Sequence, residues 1–290
     1  MNIHYLDPSI NIQSYINQLD PTIPHTIYLS KGVYREKLKI ALDHLTIIGE
    51  DSLNTILIYN DYSYKLHEDG LLYNTFRTST LLITGNHVSL SNLTIQNDAG
   101  FGERIGQAIA LSIYGNHTSI KQCFIKGYQD TLFIGPLPED LTKRYAHILP
   151  EDERHCKMIQ TYITDSYIEG NIDFIFGSGC ALFNQCTIVF NGSGYLAAPS
   201  TYKEHLGFVF YRCKIQSLSE SYHLILARPW REFGKTYFID CSMDAKIAHP
   251  RFESWDKKSF DFREYPHVES TLSKPLKSDE IAHILHHFSV

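Results

Sequence analysis

The sequence predicts an all-β protein built as a parallel β-helix, with short helices capping its ends. Two observations support this fold class: a six-residue pattern that recurs along the chain, and short β-rich runs with Gly and Asn at their corners. The pattern reads apolar, any, polar, slot, any, apolar. Successive slots lie 30, 43, 20, 27 and 28 residues apart, as stacked coils would place them. The slots are occupied by Leu93, Cys123, Ser166, Cys186, Cys213 and Cys241.

Other architectures fit less well. An antiparallel sandwich would need hairpin turns about every 8–12 residues and would show no repeated slot. Amphipathic helical periodicity is weak except at residues 10–19 and 278–288. We expect these two stretches to cap the ends of the stack, as terminal repeats of a solenoid do. Repetitive β architectures often reach 290 residues as one unit, so we expect a single domain over residues 1–290.

The 43-residue interval interrupts the repeat. Residues 135–157 carry mixed charges and several prolines, including Pro136 and Pro150, which a buried strand ladder does not accommodate. We therefore expect this segment to be a loop excursion rather than an extra coil. Without its 23 residues, Asp130 and Asp173 lie about one coil apart, on neighbouring rungs. An extra coil would separate them by roughly 10 Å, two ladder spacings.

Bulk composition excludes several classes of protein. A hydrophobic share of 43% and a charged share of 20% are ordinary for a globular protein. The net charge of −6 and the absence of a dense Lys/Arg block argue against nucleic-acid binding. No run approaches the ~18 apolar residues of a membrane span. The N-terminal residues lack the basic start and apolar run of a signal peptide, so we expect a cytoplasmic protein. We also expect it to be a monomer.

The cysteines and histidines do not suggest a metal or disulfide framework. A slot shared by Cys, Leu and Ser is a small buried stacking position, where free Cys is common. Cys156 and Cys180 lie outside the pattern, and no role is assigned to them. None of the 15 His residues shows the spacing of a zinc site, and we expect neither a metal nor a cofactor.

Two acidic residues lie among apolar and aromatic neighbours at the ends of strand-like runs. Asp130 follows Gly-Tyr-Gln, and Asp173 opens Asp-Phe-Ile-Phe-Gly. Paired carboxylates in such surroundings can differ in pKa, one protonated and one ionised. Alternatively, each Asp simply closes a turn by accepting backbone N–H bonds. The unusual contexts of Gln107, Gln129 and Arg228 favour a catalytic group.

These residue types suit ester hydrolysis by a carboxylate nucleophile. Side-chain amides can hold a developing oxyanion, and an arginine keeps a neighbouring aspartate ionised. In this hypothesis Asp173 attacks the carbonyl carbon, while Asp130 protonates the leaving alcohol and then activates water. Three alternatives remain open: a glycoside hydrolase or lyase of the same fold, a thioesterase, and a non-catalytic β-helix that binds saccharide.

Six motifs resemble, in order, those of the pectin methylesterase (pectinesterase) family of carbohydrate esterases, and they cover about residues 9–256. The resemblance implies a right-handed, single-stranded parallel β-helix that removes methyl groups from methylated galacturonate chains. The motifs are GVYRE at 32–36, QAIAL at 107–111, GYQDTL at 127–132, DFIFG at 173–177, GFVF at 207–210 and RPW at 228–230.

The resemblance also implies a role for each polar residue of the site. Asp173 would be the nucleophile and Asp130 the acid and base. Both amides would bind the oxyanion, and the arginine would orient the nucleophile; these residues are Gln107, Gln129 and Arg228.

Three aromatic residues, Phe133, Phe176 and Trp230, are implied to line the sugar cleft, although each could instead pack in the core. Arg251 and Phe252 replace the family's Gly-Trp pair, so we expect one rim of the cleft to differ. Most relatives are secreted, whereas this chain shows no signal. We therefore expect a short methylated oligogalacturonide, rather than cell-wall pectin, as the substrate.

Overall fold

The computed structural model describes residues 2–154 and 157–289, which form a stack of parallel coils. Within these residues the strands make three sheets of 11, 8 and 7 strands, and neighbouring strands of each sheet belong to successive coils. Every pairing between named strands is parallel, as in the register Leu111↔Leu132 and Leu132↔Ile175. The predicted parallel β-helix is confirmed.

The elements have the following bounds. Sheet A contains β1 (Asn2–Leu6), β2 (His25–Leu29), β5 (Leu45–Gly49), β8 (Ser89–Ser91), β11 (Thr118–Lys121), β14 (Gln160–Thr164), β17 (Cys180–Asn184), β20 (Phe208–Tyr211), β23 (Lys235–Ile239), β25 (Asp261–Tyr265) and β26 (Lys274–Pro275). Sheet B contains β3 (Gly32–Tyr34), β6 (Thr55–Tyr59), β9 (Thr94–Asn97), β12 (Phe124–Lys126), β15 (Tyr167–Gly170), β18 (Thr187–Phe190), β21 (Lys214–Ser217) and β24 (Ser242–Met243). Sheet C contains β4 (Leu38–Ile40), β7 (Leu81–Ile83), β10 (Leu111–Ile113), β13 (Leu132–Ile134), β16 (Ile175–Gly177), β19 (Gly194–Pro199) and β22 (Leu224–Ala227). The helices are α1 (Ile12–Ile16), α2 (Glu139–Arg144) and α3 (Ser278–His287), with 3-10 turns at Thr75–Arg77 and Glu151–Glu153.

The recurring sequence pattern forms the corner between sheets A and B. Its polar position has φ between 51° and 55° in every copy, a left-handed conformation that turns the chain within one residue. The slot that follows points inward, and its cysteines are free, as predicted. The Cys213 thiol, for example, donates to the Phe183 carbonyl of the preceding coil at 3.2 Å. The left-handed residues are Asn92, Gln122, Asp165, Gln185, Arg212 and Asp240.

The core consists of ladders of identical or similar side chains inside the stack. Phe183, Phe210 and Phe238 occupy equivalent positions of β17, β20 and β23, with ring centroids 4.6 and 4.8 Å apart. All three are at most 1% exposed. Because each coil buries its apolar face only against the next, these ladders hold the stack together.

The N-terminal helix caps its end of the stack. Ile12 and Ile16 of α1 are buried in the core. The Gln13 amide accepts a bond from the Lys39 N–H (2.6 Å) and donates to the Lys39 carbonyl (3.2 Å). These two bonds satisfy the backbone of β4, the edge strand of sheet C, where another strand would otherwise pair.

The C-terminal helix covers the side of the stack rather than capping its end as predicted. Ile284 and Phe288 pack against Leu182, Val209 and Tyr237, which point outward from sheet A. Packing of α3 against this outer face is favourable because it removes the apolar surfaces of both the helix and the sheet from water.

The excursion joins β13 to β14 and contains no strand among its described residues, 135–154 and 157. It carries α2 and the turn at Glu151–Glu153 instead. Leu132 pairs directly with Ile175, so no coil intervenes between the two strands that follow Asp130 and Asp173. The prediction that these aspartates lie on neighbouring rungs is confirmed.

Candidate active site

Asp130 and Asp173 occupy equivalent corners of neighbouring coils. Each lies two residues before its strand of sheet C, and the Asp130 N–H donates to the Ile172 carbonyl at 3.0 Å. Their φ values of 61° and 49° are left-handed, a conformation that non-glycine residues adopt at some cost and often at functional sites. With strands about 4.8 Å apart, both carboxylates reach one cleft. That cleft has a volume of about 420 Å³.

Arg228 forms a bidentate ion pair with Asp173. Its Nε donates to Asp173 Oδ1 at 2.8 Å, and its Nη2 donates to Oδ2 at 2.6 Å. The guanidinium carbon lies 3.7 Å from the Tyr195 ring centroid and 4.0 Å from that of Trp255. The two rings therefore stack on the guanidinium and restrict its orientation, which fixes the carboxylate.

The surroundings of the two aspartates affect their pKa values differently. Burial and the negative charge of Asp173 raise the pKa of Asp130 well above its usual value, and Arg228 opposes this only through space. Burial also raises the pKa of Asp173, but two hydrogen bonds and the positive charge of Arg228 counteract it. Asp130 is thus the group that keeps its proton, and Asp173 is the one that ionises first.

Gln107 and Gln129 line the same cleft from adjacent coils. The Ala108 N–H donates to the Gln129 carbonyl at 3.2 Å, which ties the two segments together. Neither side-chain amide donates a hydrogen bond to another described residue. Two neutral N–H donors are therefore free to stabilise a negative oxygen beside the aspartates.

A family model described as Pectinesterase matches residues 12–136 and 151–268, most of the chain. The chain belongs to the pectinesterase family. It is 29% identical to pectinesterase 31 of Arabidopsis thaliana, over 93% of this chain and 84% of that relative. It is 27% identical to the probable pectinesterase/pectinesterase inhibitor 23 of the same plant, over 80% of this chain, but spans only 39% of that longer protein.

Solved pectin methylesterase structures share the fold. The enzyme PemA from Erwinia chrysanthemi superimposes with a TM-score of 0.77 at 24% identity, over 97% of this chain and 94% of that one. The carrot enzyme gives a TM-score of 0.77 at 19% identity, over 97% of this chain and 90% of that one. A pectin methylesterase in complex with a hexasaccharide gives 0.79 at 24% identity, with 97% and 94% coverage.

The structure of this pectinesterase brings together seven of the eight predicted site residues. The exception is Phe133, which is 0% exposed and lies beneath Phe76, Tyr114 and Phe176. The prediction that Phe133 lines the cleft is therefore wrong, because the excursion covers this part of sheet C. The predicted site residues that line the cleft are Gln107, Gln129, Asp130, Asp173, Phe176, Arg228 and Trp230.

The excursion forms one wall of the cleft. The family model leaves residues 137–150 unmatched, and this stretch contains α2. Leu141, Arg144 and Tyr145 line the cleft, while Leu141 also packs into the cluster around Phe133. Asp140 binds Arg231, the residue after Trp230, at 3.1 and 2.8 Å. The excursion is thus fastened to the opposite rim of the site.

Sequence reasoning missed Tyr195 and Trp255, the two rings that hold Arg228. One signal was present: the chain has only two tryptophans, and both line this cleft. The structure places Arg251 and Phe252 away from the cleft, and the expectation that one rim differs from the family's stays a prediction. Phe252 is 0% exposed in the core, and Arg251 pairs with the buried Glu264 at 2.6 Å.

Residues 2–154 and 157–289 contain neither of two further features. Within these ranges, no group of three or more His, Cys, Asp or Glu side chains is arranged to hold a metal ion. No helix in the described part of the chain is long and apolar enough to cross a membrane.

Proposed function

We propose that this pectinesterase removes methyl groups from methyl-esterified galacturonate and releases methanol, with Asp173 as the nucleophile. One observation carries the proposal. Arg228 makes a bidentate ion pair with Asp173, whereas Asp130, the other aspartate of this buried pair, is not bonded to Arg228 and keeps its proton. The result is one nucleophile and one acid, which covalent ester hydrolysis requires.

In the first half-reaction, an Asp173 oxygen attacks the ester carbonyl carbon and a tetrahedral oxyanion forms. The free amides of Gln107 and Gln129 donate hydrogen bonds to that oxygen. When the intermediate collapses, the bond to the methoxy oxygen breaks, and Asp130 donates its proton to give methanol. An acid anhydride between Asp173 and galacturonate remains.

In the second half-reaction, ionised Asp130 accepts a proton from water, whose oxygen attacks the galacturonate carbonyl carbon. The anhydride bond breaks, Asp173 leaves as a carboxylate and the product is free galacturonic acid. Asp130 has regained its proton, so the site is reset. Every group involved lines the same cleft.

We further propose that the substrate is a short oligogalacturonide. The excursion lies over the outer face of sheet C on the N-terminal side of the catalytic cleft. Lys39 of β4 pairs there with Asp152 and Glu153, and Arg77 donates to the Ile148 carbonyl. A long chain extending in that direction would meet the excursion, whereas a short one would fit beside it.

The chemistry is tested with Asp173→Asn. The variant should release no methanol from methylated galacturonate, because an amide is not a nucleophile, while its thermal unfolding should show an intact fold. Full activity in this variant would refute the assignment of Asp173 as the nucleophile. Product length separates the alternatives: a hydrolase or lyase shortens the chain, and an esterase does not. Hydrolysis of an acyl thioester in place of the methyl ester would favour a thioesterase.

The preference for short chains is tested by comparing kcat/KM for fully methylated trimers with kcat/KM per ester for long pectin. The trimer should be the better substrate. A clear preference for polymer would contradict the proposal while leaving the esterase chemistry intact.

A further inference from the structure

Among the described residues that line the catalytic cleft, Arg144 is the one cation without an ion pair. The other charged groups that line it are balanced: Arg228 pairs with Asp173, and Arg231 pairs with Asp140 just outside. Asp130 keeps its proton, so it contributes no negative charge. Arg144 lines the cleft, is exposed and makes no ion pair or hydrogen bond with another described residue.

The geometry of α2 explains why this guanidinium stays free. Asp140 lies four residues before Arg144, the usual spacing of an ion pair on a helix. Both of its carboxylate oxygens accept from Arg231 instead, and Arg144 acts on this carboxylate only through space. Lys143, the neighbouring cation, pairs with Glu139 at 3.2 Å, and its side chain is 79% exposed. The other charged side chains of α2 therefore pair with residues other than Arg144, and the helix presents this one cation to the cleft.

We propose that Arg144 binds the carboxylate of an un-esterified galacturonate unit that adjoins the methylated unit at Asp173. This inference rests on the proposed function. A methyl ester is neutral, so a cation in the cleft distinguishes free units from esterified ones. A guanidinium matches a carboxylate in shape and charge. Because each turnover creates one carboxylate, Arg144 makes the enzyme favour partly de-esterified oligomers.

Arg144 lies in the stretch that the family model does not match, between residues 137 and 150. The excursion thus supplies both a wall and a charge, and selection by neighbouring carboxylates belongs to a segment that the family model does not match. The catalytic aspartates need no change for this selectivity to be gained or lost.

The test measures initial rates of methanol release from two trimers. One is methylated on all three units, and the other only on its central unit. In Arg144→Gln, kcat/KM for the second trimer should fall about tenfold, the effect of losing one hydrogen bond to a charged group. The loss should appear in KM, since the contact is made equally in the ground and transition states. The fully methylated trimer offers no carboxylate to Arg144, so its kcat/KM should fall less and the ratio of the two values should change.

Lys143→Gln is the matched control, because it removes the same charge from the same helix outside the cleft. It should not alter the ratio of the two kcat/KM values. Equal losses in both variants, or an unchanged ratio in Arg144→Gln, would overturn the assignment. Arg144→Lys should restore part of the ratio, since it keeps the charge but not the planar fork. Failure of the wild-type protein to release methanol from either trimer would instead refute the proposed function.

Discussion

Replacement of Arg228 by lysine tests how the site keeps Asp173 ionised. The substitution retains the positive charge but loses the planar fork that donates to both carboxylate oxygens at 2.8 and 2.6 Å. A lysine ammonium also stacks less well between Tyr195 and Trp255, so the carboxylate becomes less well oriented. Activity should fall without loss of the fold.

The magnitude follows from the contacts. Both partners are largely buried, with 16% and 13% of their side chains exposed, so solvent screens the pair only weakly. One hydrogen bond to a charged group contributes about 1.5–3 kcal/mol. Since each 1.36 kcal/mol is about a factor of ten in rate, kcat should fall roughly ten- to hundredfold.

The pH dependence should change in a definite direction. The bonds from Arg228 oppose the upward effect of burial on the pKa of Asp173. Weakening those bonds raises that pKa, so the proposed nucleophile becomes ionised only at higher pH. The acid limb of the kcat/KM profile should therefore move to higher pH, and part of the lost activity should return there.

The assay is methanol release as a function of pH for the wild type and for Arg228→Lys. Arg231→Lys serves as the control, because it weakens an exposed ion pair with Asp140. Such pairs contribute about 0–1 kcal/mol, so the control should lose less than about fivefold and keep its acid limb. Wild-type kcat and an unmoved acid limb in Arg228→Lys would refute this account of Asp173.

Three further substitutions have defined outcomes. Asp130→Asn should lower kcat by about 10²–10⁴ in methanol-release assays because the proposed general acid is lost. The same variant should have a higher Tm at neutral pH. The pKa of Asp130 is higher in the folded protein than in the unfolded chain, so the wild type loses stability as pH rises above the pKa of the unfolded chain. Calorimetry near pH 3, where the carboxyl group is protonated in both states, should show little gain. Phe133→Ala should lower the free energy of unfolding by about 3–5 kcal/mol in denaturant titrations, since the ring is 0% exposed; a loss under about 1 kcal/mol would show that the excursion packs loosely. Asp140→Asn should lower kcat/KM by less than about fivefold at unchanged Tm, through release of Arg231, and a decrease of a hundredfold would mean that the bridge does more than hold the rim.

The repeated elements of this molecule were predictable from sequence because their geometry is periodic. At the corner between sheets A and B, every copy of the pattern has the same left-handed backbone conformation. A polar residue therefore occurs at this position each time. The same periodicity placed Asp130 and Asp173 on neighbouring rungs once residues 135–157 were set aside. Local patterns suffice where each coil contacts only the next.

Contacts between non-equivalent elements were not predictable in this way. The excursion covers Phe133, and α3 lies on sheet A because outward-facing apolar residues accept it. Tyr195 and Trp255 meet at Arg228 from segments 60 residues apart in sequence. No repeat marks such positions, since each depends on the path of a segment that occurs once.

The order of strands in sheet C explains why two aspartates at equivalent corners behave differently. Taken alone, side chains on adjacent rungs would share a proton evenly. Arg228 breaks this symmetry because it follows β22, which lies two strands beyond the strand of Asp173 and three beyond that of Asp130. Two strand spacings are roughly 10 Å, within the combined reach of an arginine and an aspartate, whereas three are not. The topology thus accounts for the proposed assignment of nucleophile and acid.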